Sequence, residues 1–171
     1  MKKKLALALA LVMTMSAVLA GCGGGSKLTF VTGGDQGTYY GFGTVLAGQI
    51  SDKTKTTVTA IVGKGSKGNI EQMDQKDAQL GFVQSDVMAY AYNGERLFEE
   101  NGKVGSFSTV AALYMEQVQI VTLDPNIKSV ADLKGKNVSV GESGSGVYFN
   151  AVDVLAAYDL DVEKDIKPTY Q

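Results

Sequence analysis

Two periods alternate in the pattern of apolar and polar positions, and they predict a succession of strands and helices. Leu28-Thr29-Phe30-Val31-Thr32 is a short β-rich run that stops at Gly33-Gly34, which marks the end of a first strand. From Thr38 to Ile50, apolar and aromatic residues recur at helical spacing (Tyr39, Phe42, Val45, Leu46, Ile50), with Thr38 as the expected N-cap. Thr56 to Val62 is β-branched and closes on Gly63, a second strand. Ile70 and Met73 mark a short helix opened by Asn69, Gln79 to Val83 is a third strand, and Ser85 or Asp86 caps a helix from Val87 to Tyr92. Asn93 to Ser106 reads as a loop.

Two further runs rich in Val, Leu and Ile follow, Thr109 to Met115 and Gln117 to Leu123, and both are expected as strands. Asp124-Pro125-Asn126 makes a turn, and Ser129 to Leu133 starts a short helix that Gly135 ends. Asn137 to Val140 is another strand, Gly144 or Ser145 opens a helix to about Tyr158, and Lys167-Pro168-Thr169-Tyr170 looks like the start of a strand. Strands alternating with helices in this way argue for an α/β fold with a parallel-rich sheet.

The first residues belong to a different regime. Lys2, Lys3 and Lys4 precede an almost unbroken apolar run from Leu5 to Leu19, the form of a secretory signal peptide. The run is about 15 residues long, short of the roughly 20 that a spanning helix needs. Leu19-Ala20-Gly21-Cys22 resembles the lipobox of bacterial lipoproteins. That resemblance implies cleavage after residue 21, acylation of Cys22 with palmitate-type chains, and a lipid-anchored, extracytoplasmic location. Cys22 is the sole cysteine of the chain, so no internal disulfide is available. Gly23, Gly24, Gly25 and Ser26 then read as a flexible tether, which with Cys22 occupies residues 22–27.

Charge and composition narrow the chemistry. The 171 residues carry 18 acidic and 16 basic side chains, with Arg96 the one arginine and no histidine at all. Loss of residues 1–21 removes three lysines and no acids, leaving 13 basic against 18 acidic side chains, a balance of −5. An acidic chain offers no surface for a run of phosphates, so nucleic acid is not an expected partner. Without imidazole there is no Ser-His-Asp or Cys-His machinery and no His-ligated zinc, and neither a metal nor a cofactor is expected.

The strand-to-helix turns hold the candidate chemistry, because helix N-termini direct backbone N–H groups at the crevice beyond the strand ends. Three of them are rich in Gly, Ser and Asn: residues 33–38, 63–69 and 141–146. A fourth, Gln84-Ser85-Asp86, is short and polar. The glycines serve tight turns or a shared ligand cleft, and the recurrence of the pattern favours the cleft. Gly63, Gly65 and Gly68 match G-x-G-x-x-G, with Asp86 eighteen residues on. An exported chain and a short following helix argue against a dinucleotide there. Gly141 to Gly146 departs from G-x-S-x-G at Ser145, and no histidine is present to act as base.

Several phrases together resemble the TAXI family, solute receptors of one branch of the tripartite ATP-independent periplasmic (TRAP) transporters. They are Thr32-Gly33-Gly34-Asp35-Gln36-Gly37-Thr38-Tyr39-Tyr40, Gly65-Ser66-Lys67-Gly68-Asn69, Gly81-Phe82-Val83-Gln84-Ser85-Asp86, Ala112-Leu113-Tyr114, Ser129 to Lys136 with Val138-Ser139-Val140-Gly141, and Ser143-Gly144-Ser145-Gly146. The resemblance runs from about Leu28 to Leu160. It implies a periplasmic-binding-protein-like fold of two α/β lobes with a hinge. Lobe one would be residues 28–115, a hinge-crossing strand 116–123, and lobe two 124–171, incomplete because family members are about twice this length.

The function implied is capture of a small anionic or zwitterionic solute, a glutamate-like amino acid or a dicarboxylate, by cleft closure. Delivery to TRAP permease subunits in the membrane would follow, and the receptor is expected to be a monomer and not an enzyme. The ligand-binding residues implied are Gly34, Gly37, Thr38, Tyr39, Ser66, Asn69, Gln84, Ser85, Asp86, Tyr114, Ser143, Gly144, Ser145 and Gly146. Lys64 or Lys67 would assist with charge or stand as solvated surface groups, and Asp86 would orient an amine or cap its helix. Arg96 is expected in a loop remote from the turns. An exported enzyme using the Gly-Ser turns as an anion cradle, or a sensory receptor, are the other readings of the same residues.

Overall fold

The structure is a computed structural model that describes residues 25–170, so the expected leader, Cys22 and the first part of the tether lie outside the described residues. The first half of the described chain is built on a three-stranded parallel sheet in the order β2-β1-β3, with β1 at Lys27–Val31, β2 at Thr57–Ile61 and β3 at Leu80–Gly81. The register pairs Lys27 with Thr57 and Val31 with Ile61 on one side of β1, and Phe30 with Leu80 on the other. Helix α1 (Thr38–Lys53) returns the chain from β1 to β2, α2 (Ser66–Asp74) from β2 to β3, and α3 (Ser85–Asn93) follows β3. Each strand-to-helix turn therefore lies beyond the same end of the sheet, because parallel strands all finish on one side. Ser26, expected in the tether, already serves the sheet, since its carbonyl accepts the Thr57 N–H at 2.8 Å.

A 3-10 turn at Arg96–Phe98 ends this half, and a second at Val130–Leu133 begins the next. The latter carries a capping box between Ser129 and Asp132, and Gly135, at φ +73°, ends the turn as its position after the apolar run predicts. A two-stranded parallel sheet of β4 (Asn137–Ser139) and β5 (Lys167–Thr169) is bridged by helix α4 (Gly146–Ala156). The sequence pattern placed these elements except the turn at Arg96–Phe98, which it read as loop, and the mixed α/β class with parallel sheets is the one observed.

One expectation fails. Residues 109–115 and 117–123 form no strand, and among the described residues no backbone–backbone hydrogen bond involves residues 105–123. β-Branched composition fits a residue to a pleated surface but does not supply the neighbour a strand needs. Val110, Met115, Val121 and Leu123 are each more than 80% exposed for the same reason. The helix caps also differ from expectation. Gly37, Gly65 and Gln84 occupy the N-cap positions of α1, α2 and α3, so Thr38, Asn69, Ser85 and Asp86 lie inside their helices. For α4, Ser145 is the cap, accepting the Tyr148 N–H at 3.1 Å.

Three apolar clusters hold the chain together. Phe30, Ala47, Val58 and Phe82 join α1 to the sheet. Leu133, Val140, Tyr148, Leu155, Leu160, Val162 and Ile166 form the core of the second half. Between them, Ile70, Val87, Ala91 and Phe98 of the first half enclose Phe149 of α4. Phe149 stacks between Tyr90 and Phe98, with ring centroids at 5.7 and 6.3 Å. Helix α4 thus contributes to two cores, which fixes the turn before it against the turns of the first half.

Candidate functional site

The turns after β1 and β2 are tied to one another from within. Thr32, fully buried at the end of β1, donates its hydroxyl to the Ile61 carbonyl at 2.7 Å, and the Gly63 N–H donates to the Gly33 carbonyl at 3.0 Å. The Gly37 N–H closes on the Gly34 carbonyl at 2.9 Å, which delivers Thr38 and Tyr39 into the first turn of α1. Thr38 is exposed there and Tyr39 half-buried. The turn after β2 is joined to the one after β3 by Ser66, whose buried hydroxyl accepts the Gln84 N–H at 3.1 Å and lies near the Tyr39 phenol. Asn69, fully buried in α2, donates its amide to the Phe82 carbonyl at 2.8 Å and so binds the end of β3 to the helix.

The turn of residues 141–146 closes on this group from the second half of the chain. The Lys67 N–H donates to the Gly144 carbonyl at 3.0 Å. Gly65 takes φ +79°, and a Cβ there would stand 2.9 Å from Ser145 Cα, so only glycine allows both the turn and the approach. Gly146 is the counterpart, since its missing Cβ leaves the space in which the Gln84 side-chain amide lies. Asn150, one turn into α4, links the two sides. Its Nδ2 donates to the Gly146 carbonyl at 2.9 Å, to Gln84 Oε1 at 3.3 Å and to Asp86 Oδ2 at 3.4 Å. The other oxygen of Asp86 accepts the Val87 N–H at 2.9 Å, so this carboxylate serves its helix and faces the site at once. Ser85 and Ser143 remain exposed.

The unpaired segment contributes a group that the sequence reading overlooked. Glu116 is the sole charged residue between Val104 and Leu123, and its Oε2 accepts a hydrogen bond from Gln84 Nε2. Its carboxylate also lies against the phenols of Tyr39 and Tyr114. Burial, followed by the Glu116 charge, raises both phenols above the usual tyrosine value, Tyr39 strongly. The lone acid in a long uncharged run was the available signal. The rings of Tyr39 and Phe42 lie 5.0 and 6.0 Å from Phe82, and Phe42 meets Tyr114 edge-on at 6.0 Å, so the carboxylate is set beside an aromatic wall. Tyr114 itself is only partly covered, at 44% exposure.

The basic residues occupy a separate groove of about 400 Å³, lined among others by Lys64, Lys67, Arg96, Ser143 and Gly144. Arg96 is therefore not remote from the turns, as its place in a loop had suggested, because the 3-10 turn carries it back beside residues 143 and 144. Its guanidinium pairs with Asp153 at 2.7 Å and sits over the Tyr90 ring. Lys67 pairs with Glu71 at 2.6 Å. Two of these cations are thus already neutralised by carboxylates, while Lys64 is exposed.

The arrangement offers hydroxyl, amide and helix N-terminal donors on one side and a carboxylate with aromatic rings on the other, the pattern of a binding site for a small polar molecule. The sequence matches the NMT1-like family over residues 30–171. Among solved structures, the alkanesulfonate-binding protein SsuA from Xanthomonas axonopodis pv. citri, bound to MOPS, is similar at 20% identity, over 85% of this chain and 47% of that one, with a TM-score of 0.49. The chain thus spans about half the length of that protein.

Proposed function

The chain belongs to the NMT1-like family, and from this premise we propose that it acts as an extracytoplasmic solute receptor that captures a small solute bearing an anionic group. The observation that carries the reading is the convergence of four strand-to-helix turns from two α/β halves. Gly33, Ser66, Gln84 and Ser145 are linked through direct contacts, although they are dispersed over more than a hundred positions of sequence. Residues Gly34, Gly37, Thr38, Tyr39, Ser66, Gln84, Ser85, Asp86, Tyr114, Ser143, Gly144, Ser145 and Gly146 surround that junction, with Asn69 supporting it from behind.

Oriented N–H groups and hydroxyls at helix N-termini suit a carboxylate or a similar anion. The turns are packed on one another, so a solute must part them to enter and is enclosed when they close again. The work is a conformational equilibrium biased by ligand, with no bond made or broken. The motif resemblance extends the reading to a TAXI-type receptor, tethered to the membrane through acylated Cys22 and passing its solute to TRAP permease subunits.

A thermal-shift screen of the chain against amino acids, dicarboxylates and other small organic acids tests the proposal. Saturable stabilisation with no consumption of the compound is the expected result. Turnover of a compound, or the absence of any shift across the panel, overturns it.

A further inference from the structure

We propose that Glu116 reads a cationic nitrogen on the solute, so that the site takes a zwitterion bearing an ammonium group as well as its anionic group; the inference rests on the receptor reading above. Among the described residues, the five ion pairs leave Glu116 without a cation. Its neighbours are instead neutral donors, the Gln84 amide and the phenols of Tyr39 and Tyr114. With only neutral donors beside it and no cation paired with it, the carboxylate attracts a cation that can reach it.

An ammonium group is suited to reach it. Tyr39, Phe42, Phe82 and Tyr114 form a continuous series of rings with neighbouring centroids 5.0 to 6.0 Å apart. Ring faces attract a cation and strip little from it, so carboxylate and aromatic wall together make a cation subsite. Gln84 ties this subsite to the anion side. Its side chain lies over Gly146, where it meets Asn150 at 3.3 Å, and its N–H rests on Ser66 at 3.1 Å. The Gln84 Oε1 accepts from Asn150 whether or not its Nε2 donates to Glu116, so the Gln84 amide keeps this partner when an ammonium takes over Glu116.

The same carboxylate opposes any solute that brings only negative charge to this end of the site. Discrimination between an amino acid and its deaminated counterpart then follows from one residue. Like charges brought together repel, whereas an ammonium at the same place pairs.

Calorimetry on the full chain with the common α-amino acids and, for each, the corresponding acid lacking the amine tests this, in the wild type and in Glu116→Gln. The expected result is that an amino acid binds about tenfold or more tighter than its deaminated partner, and that Glu116→Gln brings this ratio close to one. Glu116→Asp, which keeps the charge, retains part of the preference. Equal binding of both partners, or a preference that Glu116→Gln leaves intact, overturns the role of Glu116 while leaving a receptor. Saturable binding by neither class of compound overturns the receptor reading and this inference with it.

Discussion

At Gly65 a backbone conformation and a close approach are demanded of the same residue. Its φ of +79° lies in the region open to glycine, and Ser145 occupies the space beside its Cα. Gly65→Ala is accordingly expected to lower stability by about 1–3 kcal/mol, a cost of forcing a side chain into a sparsely populated region and a filled space. Denaturant unfolding of the variant measures it. A loss within experimental error would mean that the two turns do not meet as described. Gly48, with open space where a Cβ would stand, is the control position within α1. The motif phrase Gly65-Ser66-Lys67-Gly68-Asn69 was visible in the sequence, but the different tasks of its members were not. Ser66 ties two turns together and Asn69 anchors a strand end from a fully buried position, distinctions that depend on what lies across the gap.

Among elements, the turns of the second half carry carboxylates that accept backbone N–H groups, beside the apolar residues that anchor them in the core. Asp124, Asp132, Asp161 and Asp165 are all held below the usual aspartate value of 3.8, in each case chiefly because a backbone N–H donates to the charged form. A depressed folded-state pKa contributes stability that is present above 3.8 and is lost as the pH falls through the lower folded value. Residues 124–169 are therefore expected to loosen on acidification below 3.8 before the β1–β3 sheet does, as read by amide signals recorded along a pH series. Loss of both halves at one pH would contradict it. The elements themselves were legible. Helical spacing from Thr38 and the β-branched run before Gly63 reflect local geometry, so they read directly as α1 and β2. The caps were less legible, because Gly37 and Gln84 take those positions through backbone conformation without a side-chain hydrogen bond.

Over the described residues, two α/β halves are joined by a long unpaired segment and clasped by α4. Because residues 105–123 make no backbone–backbone hydrogen bond among the described residues, their amides are expected to exchange with solvent almost freely, while those of β1 and β2 stay protected. Hydrogen exchange followed by mass spectrometry checks this. Protection of the segment equal to that of β1 would mean that it is paired, contrary to its form here. By itself, the sequence determined the α/β class, the order of helices and parallel strands, and the four polar turns, since hydrophobic period and turn chemistry are local properties. Only the tertiary structure decided that the segment rich in Val and Ile stays unpaired, that Arg96 returns to the turns, and that Glu116 enters the site. Pairing, proximity and charge environment depend on residues far apart in the chain, and they come together only when both cores form around α4.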